Sequence, residues 1–250
     1  MQKIYLGLPA YDEEKSIKPL FTRIYKLQAS LPMPLVVIVY DDGCRDGTKK
    51  EVLAWTPLIE IIYLDGVVNK GLGSGMNALL SEFAKRGGRE DVLVVMDCDN
   101  THDPAQIPQM LDVLKDQPET DLVIASRYRS GATITGVPFH RIFLSVGAAV
   151  LYKLVHPIFH VRDYTCGYRV YRHGIIMDAL SKFDPPLLKE KGFACMVELL
   201  LKLNKSNARM REIPLMLAYD NKLSVSEMDV FGNSFQLLKK LLAWRFWDMK

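Results

Sequence analysis

The sequence predicts an α/β protein: a doubly wound, mostly parallel sheet flanked by helices, Rossmann-like in layout. Two observations carry that prediction. Short apolar runs alternate with helix-length segments through the first 130 residues, and four of the five runs end at Pro or Asp, residues of the kind that terminate buried strands. A chain of 250 residues with 49% hydrophobic content can also bury a full core as one large domain.

The strands are expected at residues 3–8, 35–40, 59–64, 92–96 and 122–125, each an apolar run bounded by turn residues. Helices are expected between them at residues 14–29, 46–54, 72–85 and 104–115. That βαβα order implies right-handed crossovers and a parallel sheet. Pro9 fixes the exit of the first strand, and Glu14 sits where an acid favours a helix N-terminus. After Tyr128 the pattern changes: a Gly/Thr/Pro loop at 131–138 leads into a long apolar helix at 139–155. A strand near 168–171, a helix near 193–203 and a strand near 209–214 follow. Residues 234–247 set Leu, Phe and Trp beside Lys and Arg, the pattern of an interfacial amphipathic helix. Docking onto the protein's own core or onto a second copy is the other use of such a helix.

Composition narrows the function classes. The formal net charge of +3 is too slight to argue for nucleic acid, and no nucleic-acid partner is expected. Cys44, Cys98, Cys166 and Cys195 lie far apart with no Cys-x-x-Cys pair, so neither zinc nor a disulfide framework is indicated and a reducing cytoplasm fits. The N-terminus lacks the apolar core of a signal peptide. The longest apolar stretch, 142–159, is interrupted by Lys153, His156 and Pro157, so no transmembrane helix is expected.

The chemistry is expected in the loops after the strands, because open α/β sheets bind ligands at the carboxyl ends of their strands. Asp97-Cys98-Asp99 follows an apolar strand, and two hard carboxylates there suit a divalent cation and a phosphorylated ligand. Asp41-Asp42-Gly43 ends the second strand and presents acceptors for a base ring N–H. In Pro9-Ala10-Tyr11-Asp12-Glu13-Glu14, Tyr11 can stack on a base while the acids cap the next helix. Asn69-Lys70-Gly71-Leu72-Gly73 opens a helix and offers backbone amides and a lysine to phosphate, although it has neither P-loop nor dinucleotide spacing. Asp97-Cys98-Asp99-Asn100-Thr101 also satisfies the Asp-x-Asp-x-Thr pattern of haloacid dehalogenase-like phosphatases; here, however, it follows the fourth strand instead of opening the domain.

These motifs, with Ser126-Arg127-Tyr128, Pro138-Phe139-His140-Arg141 and Cys166-Gly167-Tyr168-Arg169, resemble family 2 glycosyltransferases of the GT-A fold in order and spacing. The similarity is greater to the branch that makes dolichyl- and polyprenyl-phosphate mannose. The resemblance implies an inverting hexosyl transfer from a nucleotide sugar, of GDP-mannose or UDP-glucose type, to a polyprenyl phosphate. It implies that Pro9, Ala10, Tyr11, Glu13, Asp41, Asp42 and Lys70 hold the donor, and that Asp97 and Asp99 hold Mg²⁺ or Mn²⁺. Arg127 and Arg141 match positions near the phosphates and acceptor, and Lys222 matches a basic position in a late loop. It further implies a glycosyltransferase domain over residues 1–228, with a nucleotide-sugar half at 1–130, an acceptor half at 131–228 and a C-terminal amphipathic helix at 229–250. Peripheral attachment to the cytoplasmic membrane face accords with a lipid acceptor.

An ionised lipid phosphate needs no general base; a hydroxyl on a lipid or glycan does, with Asp163 or Glu198 as candidates, although on its apolar helix Glu198 also suits a structural ion pair. The chain departs from the branch at residues 220–228, where Glu227 stands in place of a lysine, and at Thr101, where several relatives have an amide. The first departure keeps the hydroxyl acceptor open, and with it a silent sugar-nucleotide-binding protein.

Overall fold

The computed structural model describes residues 2–136, 139–221 and Trp244, and of residues 139–145, 148 and 221 the backbone alone. Lys222, the loop to Met228 and the C-terminal amphipathic helix lie outside the described residues, apart from a helical, buried Trp244.

The first half follows the expected alternation: β1 (Ile4–Ala10), α1 (Glu14–Gln28), β2 (Leu35–Asp41), α2 (Thr48–Leu53), β3 (Glu60–Asp65), α3 (Leu72–Arg86), β4 (Val92–Val95), α4 (Ile107–Asp116) and β5 (Leu122–Ser126). A 3₁₀ turn, Pro104–Gln106, leads into α4. The second half contains β6 (Thr133–Thr135), α5 (Phe139–Val155), β7 (Arg169–Arg172), α6 (His173–Lys182), α7 (Ala194–Lys205), β8 (Met210–Pro214) and β9 (Met216–Ala218). The helix α6 and the small β6–β9 sheet were not anticipated. The first residue of α6 directly follows the last of β7, so no turn residue marks the change.

Seven strands form one sheet in the order β3-β2-β1-β4-β7-β5-β8. β7 alone runs against its neighbours β4 and β5; the other pairings are parallel. The chain moves outward from β1 to β3, then returns to β4 on the far side of β1. The order therefore reverses between β1 and β4, the position at which open α/β sheets form a crevice at the strands' carboxyl ends. Ala10, Asp41 and Asp65 stand in register across β1, β2 and β3, so their loops leave at one level.

Burial explains the sheet's stability. Every residue of β2, β4 and β5 is buried, which suits parallel strands covered on both faces. α1 buries Ile17, Leu20, Phe21, Ile24 and Leu27 at helical spacing. Each such side chain contributes about 1.5–3 kcal/mol relative to exposure.

Arg169 is the exception in this apolar setting. It is fully buried on β7, and its guanidinium donates to the carbonyls of Met196 (3.0 Å) and Tyr164 (2.8 Å), tying the sheet to α7 and to the loop before β7. Arg169→Ala is expected to lower unfolding free energy by about 2–5 kcal/mol, because two buried carbonyls lose their donors. Urea denaturation measures this, and an unchanged midpoint would refute it.

Candidate active site

The loops after β1 and β2 are bound to each other through carboxylates and backbone amides. Asp12 takes a left-handed conformation, φ 51°, and its Oδ1 accepts the Arg45 N–H at 2.7 Å. The Asp46 carboxylate accepts from the N–H groups of Glu14 and Thr48, both at 3.0 Å, while Glu13 N–H donates to the Thr48 hydroxyl at 2.8 Å. Asp12, Cys44 and Asp46 are close enough to hold a metal, their ligand atoms lying within 4.8 Å of one another. Their hydrogen bonds also lock the two loops together. Burial pushes the Cys44 thiol up to about 12, so it is not a thiolate near neutrality.

The adjacent acids Asp41 and Asp42 do different work. Asp41 is buried and accepts from the Tyr63 hydroxyl and from Cys44 N–H, the latter at 2.6 Å. Burial opposes its ionisation, but these donors outweigh it and hold its pKa below the ordinary 3.8. Asp42 accepts the N–H groups of Lys70 (2.9 Å) and Gly71 (2.7 Å), so it anchors the loop that opens α3. A carboxylate offers about four acceptor positions, which leaves Asp42 capacity for a ligand N–H. Pro9 and Tyr11 are partly buried, Ala10 is buried and Lys70 is exposed.

The Asp97-Cys98-Asp99 turn leaves β4 on the other side of the crevice. Asp99 is 9% exposed, and its Oδ1 accepts both the Thr101 N–H (3.1 Å) and the Thr101 hydroxyl (2.7 Å). Asn100 is left-handed, φ 66°. Arg23 of α1 braces the turn from outside by donating to the carbonyls of Asn100 (3.0 Å) and His102 (3.2 Å) and to the Asn100 side chain. The Asp97 side chain is 32% exposed. His102 Nδ1 lies 3.9 Å from its carboxylate, but that nitrogen accepts the Asp97 N–H at 3.1 Å, so the contact is not an ion pair. The buried His102 ring packs 5.1 Å from Tyr168. Arg23 and His102 were missed by sequence reasoning, since nothing in their local sequence points to a turn remote from α1 or to a tautomer.

The ends of β1, β2 and β4 and the loops after them thus carry Pro9, Ala10, Tyr11, Glu13, Asp41, Asp42, Asp97 and Asp99 at one carboxyl edge of the sheet, with the Lys70 N–H bound to Asp42. The remaining expected residues behave differently. Arg127 binds Asp163 bidentately, Nε to Oδ2 at 2.8 Å and Nη2 to Oδ1 at 2.7 Å. The fork expected to grip a phosphate is therefore turned onto a carboxylate. Asp163 is fully buried and also accepts the N–H groups of Arg127 (3.0 Å), Thr165 (3.2 Å) and Cys166 (3.0 Å). Burial raises its pKa, but Arg127 and these donors prevail and hold it below 3.8. Glu198 is likewise fully buried, bound to Lys202 at 2.9 Å and to the N–H groups of Lys189 and Glu190. Each of these two carboxylates is sealed from solvent and occupied by donors, the setting of a structural ion pair.

Glu212, which the sequence reading did not single out, completes the Asp163 network. It accepts the N–H groups of Arg162 (2.7 Å) and Asp163 (2.8 Å) and lies 3.2 Å from Arg129 Nε. Arg141 is described by backbone alone within α5.

A pKa lowered in the folded state means that ionised Asp163 stabilises the fold at every pH above the ordinary 3.8 and that this contribution is lost as pH falls through the lowered value. Asp163→Asn should reduce stability at neutral pH and flatten the acid limb below about pH 4. Urea midpoints from neutral to strongly acid pH test this; an acid limb as steep as the parent's would assign the pH dependence elsewhere.

Comparison with known proteins identifies the fold and the family. The chain is 27% identical over 245 residues to the polyprenol monophosphomannose synthase of Mycolicibacterium smegmatis, covering 97% of this chain and 87% of that one. It is 30% identical over 224 residues to the undecaprenyl-phosphate mannosyltransferase of Micrococcus luteus, covering 88% and 85%. Glucosyl-3-phosphoglycerate synthase from Mycobacterium tuberculosis, solved with Mn²⁺, UDP and phosphoglyceric acid, shares the fold with a TM-score of 0.67 at 19% identity, over 97% of this chain and 78% of that one. Mannosyl-3-phosphoglycerate synthase from Rubrobacter xylanophilus does so with a TM-score of 0.66 at 17% identity, over 98% and 74%. The mixed sheet is thus that of GT-A enzymes, which sets aside the phosphatase reading of the Asp-x-Asp turn. Because the family's own pattern, Glycosyl transferase family 2, matches residues 5–179, the chain belongs to that family and is a glycosyltransferase.

Proposed function

We propose that this enzyme transfers a hexose, with inversion, from a GDP- or UDP-sugar to a polyprenyl phosphate in a metal-dependent reaction. The observation that carries the acceptor is the fate of Asp163 and Glu198. Both candidate bases are buried and occupied by donors, which favours an acceptor oxygen that is already ionised. The polyprenol- and undecaprenyl-phosphate names of the relatives support the same choice.

In this reading Tyr11 stacks on the base, Asp42 accepts a ring N–H, and Pro9, Ala10 and Glu13 shape the pocket with Asp41 behind them. Lys70 and the N-terminus of α3 receive the diphosphate. Asp97 and Asp99 would hold Mg²⁺ or Mn²⁺. The donor set fits: two hard carboxylates two residues apart, Asp99 oriented by Thr101 and Asp97 partly exposed. Such an ion offsets the charge of a departing diphosphate. The acceptor oxygen attacks the anomeric carbon as the bond to the nucleoside diphosphate breaks, through an oxocarbenium-like transition state. Arg127 orders the loop before β7 through Asp163, and Arg141 and Lys222 provide positive charge toward the acceptor. Residues 1–130 form the donor half, 131–228 the acceptor half, and 229–250 an amphipathic helix.

Peripheral attachment to the cytoplasmic membrane face completes the proposal. Val146, Val150 and Leu154 recur every fourth residue on α5, 43%, 55% and 71% exposed, and Phe159 beyond its end is 82% exposed. An apolar stripe of this kind suits a lipid interface. No helix among the described residues is long and apolar enough to cross a membrane. A hydroxyl acceptor is the second reading, favoured by Glu227, whose negative charge would oppose a lipid phosphate near the 220–228 loop.

Nucleoside diphosphate release from a panel of GDP- and UDP-sugars with Mg²⁺ or Mn²⁺, with labelled sugar followed into an organic phase, tests the reading. Release that requires polyprenyl phosphate and yields an organic-phase product is expected; release with hydroxyl-bearing acceptors alone would select the second reading. Asp99→Ala should abolish turnover and weaken metal-dependent donor binding, and normal turnover in that variant would exclude the metal assignment. Leu154→Ser should weaken sedimentation with anionic vesicles roughly ten-fold by removing buried apolar area, whereas unaltered sedimentation would place membrane contact elsewhere.

A further inference from the structure

The segment between α6 and α7 contains a set of interactions that the proposed reaction does not use. Residues 187–191 form no regular element, yet they are gripped from two sides. On α3, Asn77 brackets Leu188: its Nδ2 donates to the Leu188 carbonyl at 2.8 Å and its Oδ1 accepts the Leu188 N–H at 2.9 Å. On α7, Glu198 accepts the N–H groups of Lys189 (2.9 and 3.1 Å) and Glu190 (3.0 Å), and Lys202 donates to the Leu187 carbonyl at 2.5 Å. The strap then closes on the start of α3, where the Lys191 carbonyl accepts the Gly73 N–H at 2.8 Å.

That closure leaves no room for side chains. A Cβ on Gly73 would stand 1.8 Å from the Glu190 carbonyl oxygen, and one on Gly71, whose φ is +87°, would stand 2.6 Å from that of Lys191. Surface loops are ordinarily the mobile, loosely bonded parts of a domain. A fully buried ion pair such as Glu198–Lys202 is also weak evidence for stability, because desolvation offsets its attraction. Fixing the position of the strap accounts for both.

What the strap positions is Lys191. Its side chain is exposed, and its Cβ lies 3.6 Å from the place a Gly71 Cβ would occupy. Gly71 is the neighbour of Lys70, and both donate their N–H groups to Asp42. Two lysines, one from each half of the chain, therefore flank the N-terminus of α3. The geometry points to Lys191 as a donor-diphosphate-binding residue, with Asn77, Glu198 and Lys202 as the residues that position it. This inference rests on the proposal that the donor diphosphate lies at the start of α3.

Calorimetric titration of the full chain in Mg²⁺ with GDP, UDP, guanosine and uridine separates the two claims. Lys191→Ala should weaken binding of the preferred diphosphate roughly ten-fold, the loss of one charge-assisted hydrogen bond, and leave the matching nucleoside unaffected. Lys191→Arg should restore most of the loss, and Asn77→Ala should reproduce part of it. Parental diphosphate affinity in Lys191→Ala would overturn the role of the lysine while leaving the donor site in place. Equal weakening of diphosphate and nucleoside would also overturn it, by showing a disturbed pocket instead of a lost phosphate contact. A parent chain that binds neither diphosphate better than its nucleoside would overturn the donor-site reading, and this inference with it.

Discussion

The site depends on one constraint: parallel strands deliver their loops, and the loops' unpaired N–H groups, to a single edge of the sheet. β1, β2 and β3 end in register at Ala10, Asp41 and Asp65, so the backbone beyond them is crowded and partly shut off from water. N–H groups that the sheet leaves unpaired need acceptors. Asp12, Asp41, Asp42, Asp46 and Asp99 provide them, each accepting at least one backbone N–H from its own or a neighbouring loop. The acids that look like a binding site are therefore first the means by which the loops hold one another.

That solution sets an electrostatic demand. An edge rich in carboxylates repels a nucleoside diphosphate unless cations intervene. A divalent ion at the Asp-x-Asp turn, and lysines beside a helix N-terminus, are what such an edge requires in order to accept a dianion. The arginines of the region are largely committed elsewhere. Arg127 is held by Asp163, Arg129 lies against Glu212, Arg169 serves two carbonyls and Arg23 braces the Asp-x-Asp turn. Arginine forks thus hold loops through carbonyls and carboxylates, and in the proposed reading the flexible lysines are left for the donor, a division consistent with their geometries.

Much of this was legible in the sequence, for local reasons. The runs of β1, β2, β4 and β5 are largely apolar because both faces of the sheet are covered, and the acids that follow β1, β2 and β4 mark where the chain leaves the core. What could not be read is which partner consumes each polar group. Asp163 and Glu198 present the right chemistry for proton transfer, and only the fold shows their oxygens occupied by Arg127, Lys202 and backbone amides. Arg23 meets Asn100 across 77 residues of chain, and Asn77 meets Leu188 across 111, separations at which no periodicity carries information. The antiparallel course of β7 was hidden for the same reason, since a four-residue strand, here Arg-Val-Tyr-Arg, does not encode its direction.

The placement of β7 has a consequence for how such a chain can change. Counted across the sheet, β4 and β5 come from the first half of the sequence while β7 and β8 come from the second, and the four alternate. β5 reaches the rest of the sheet only through β7. The two halves are interleaved, not juxtaposed, and no cut near residue 130 would leave either with a closed core. New acceptor preferences cannot arise by exchanging one half as a module; they must accumulate in loops and in the C-terminal segment, around a sheet that both halves build together.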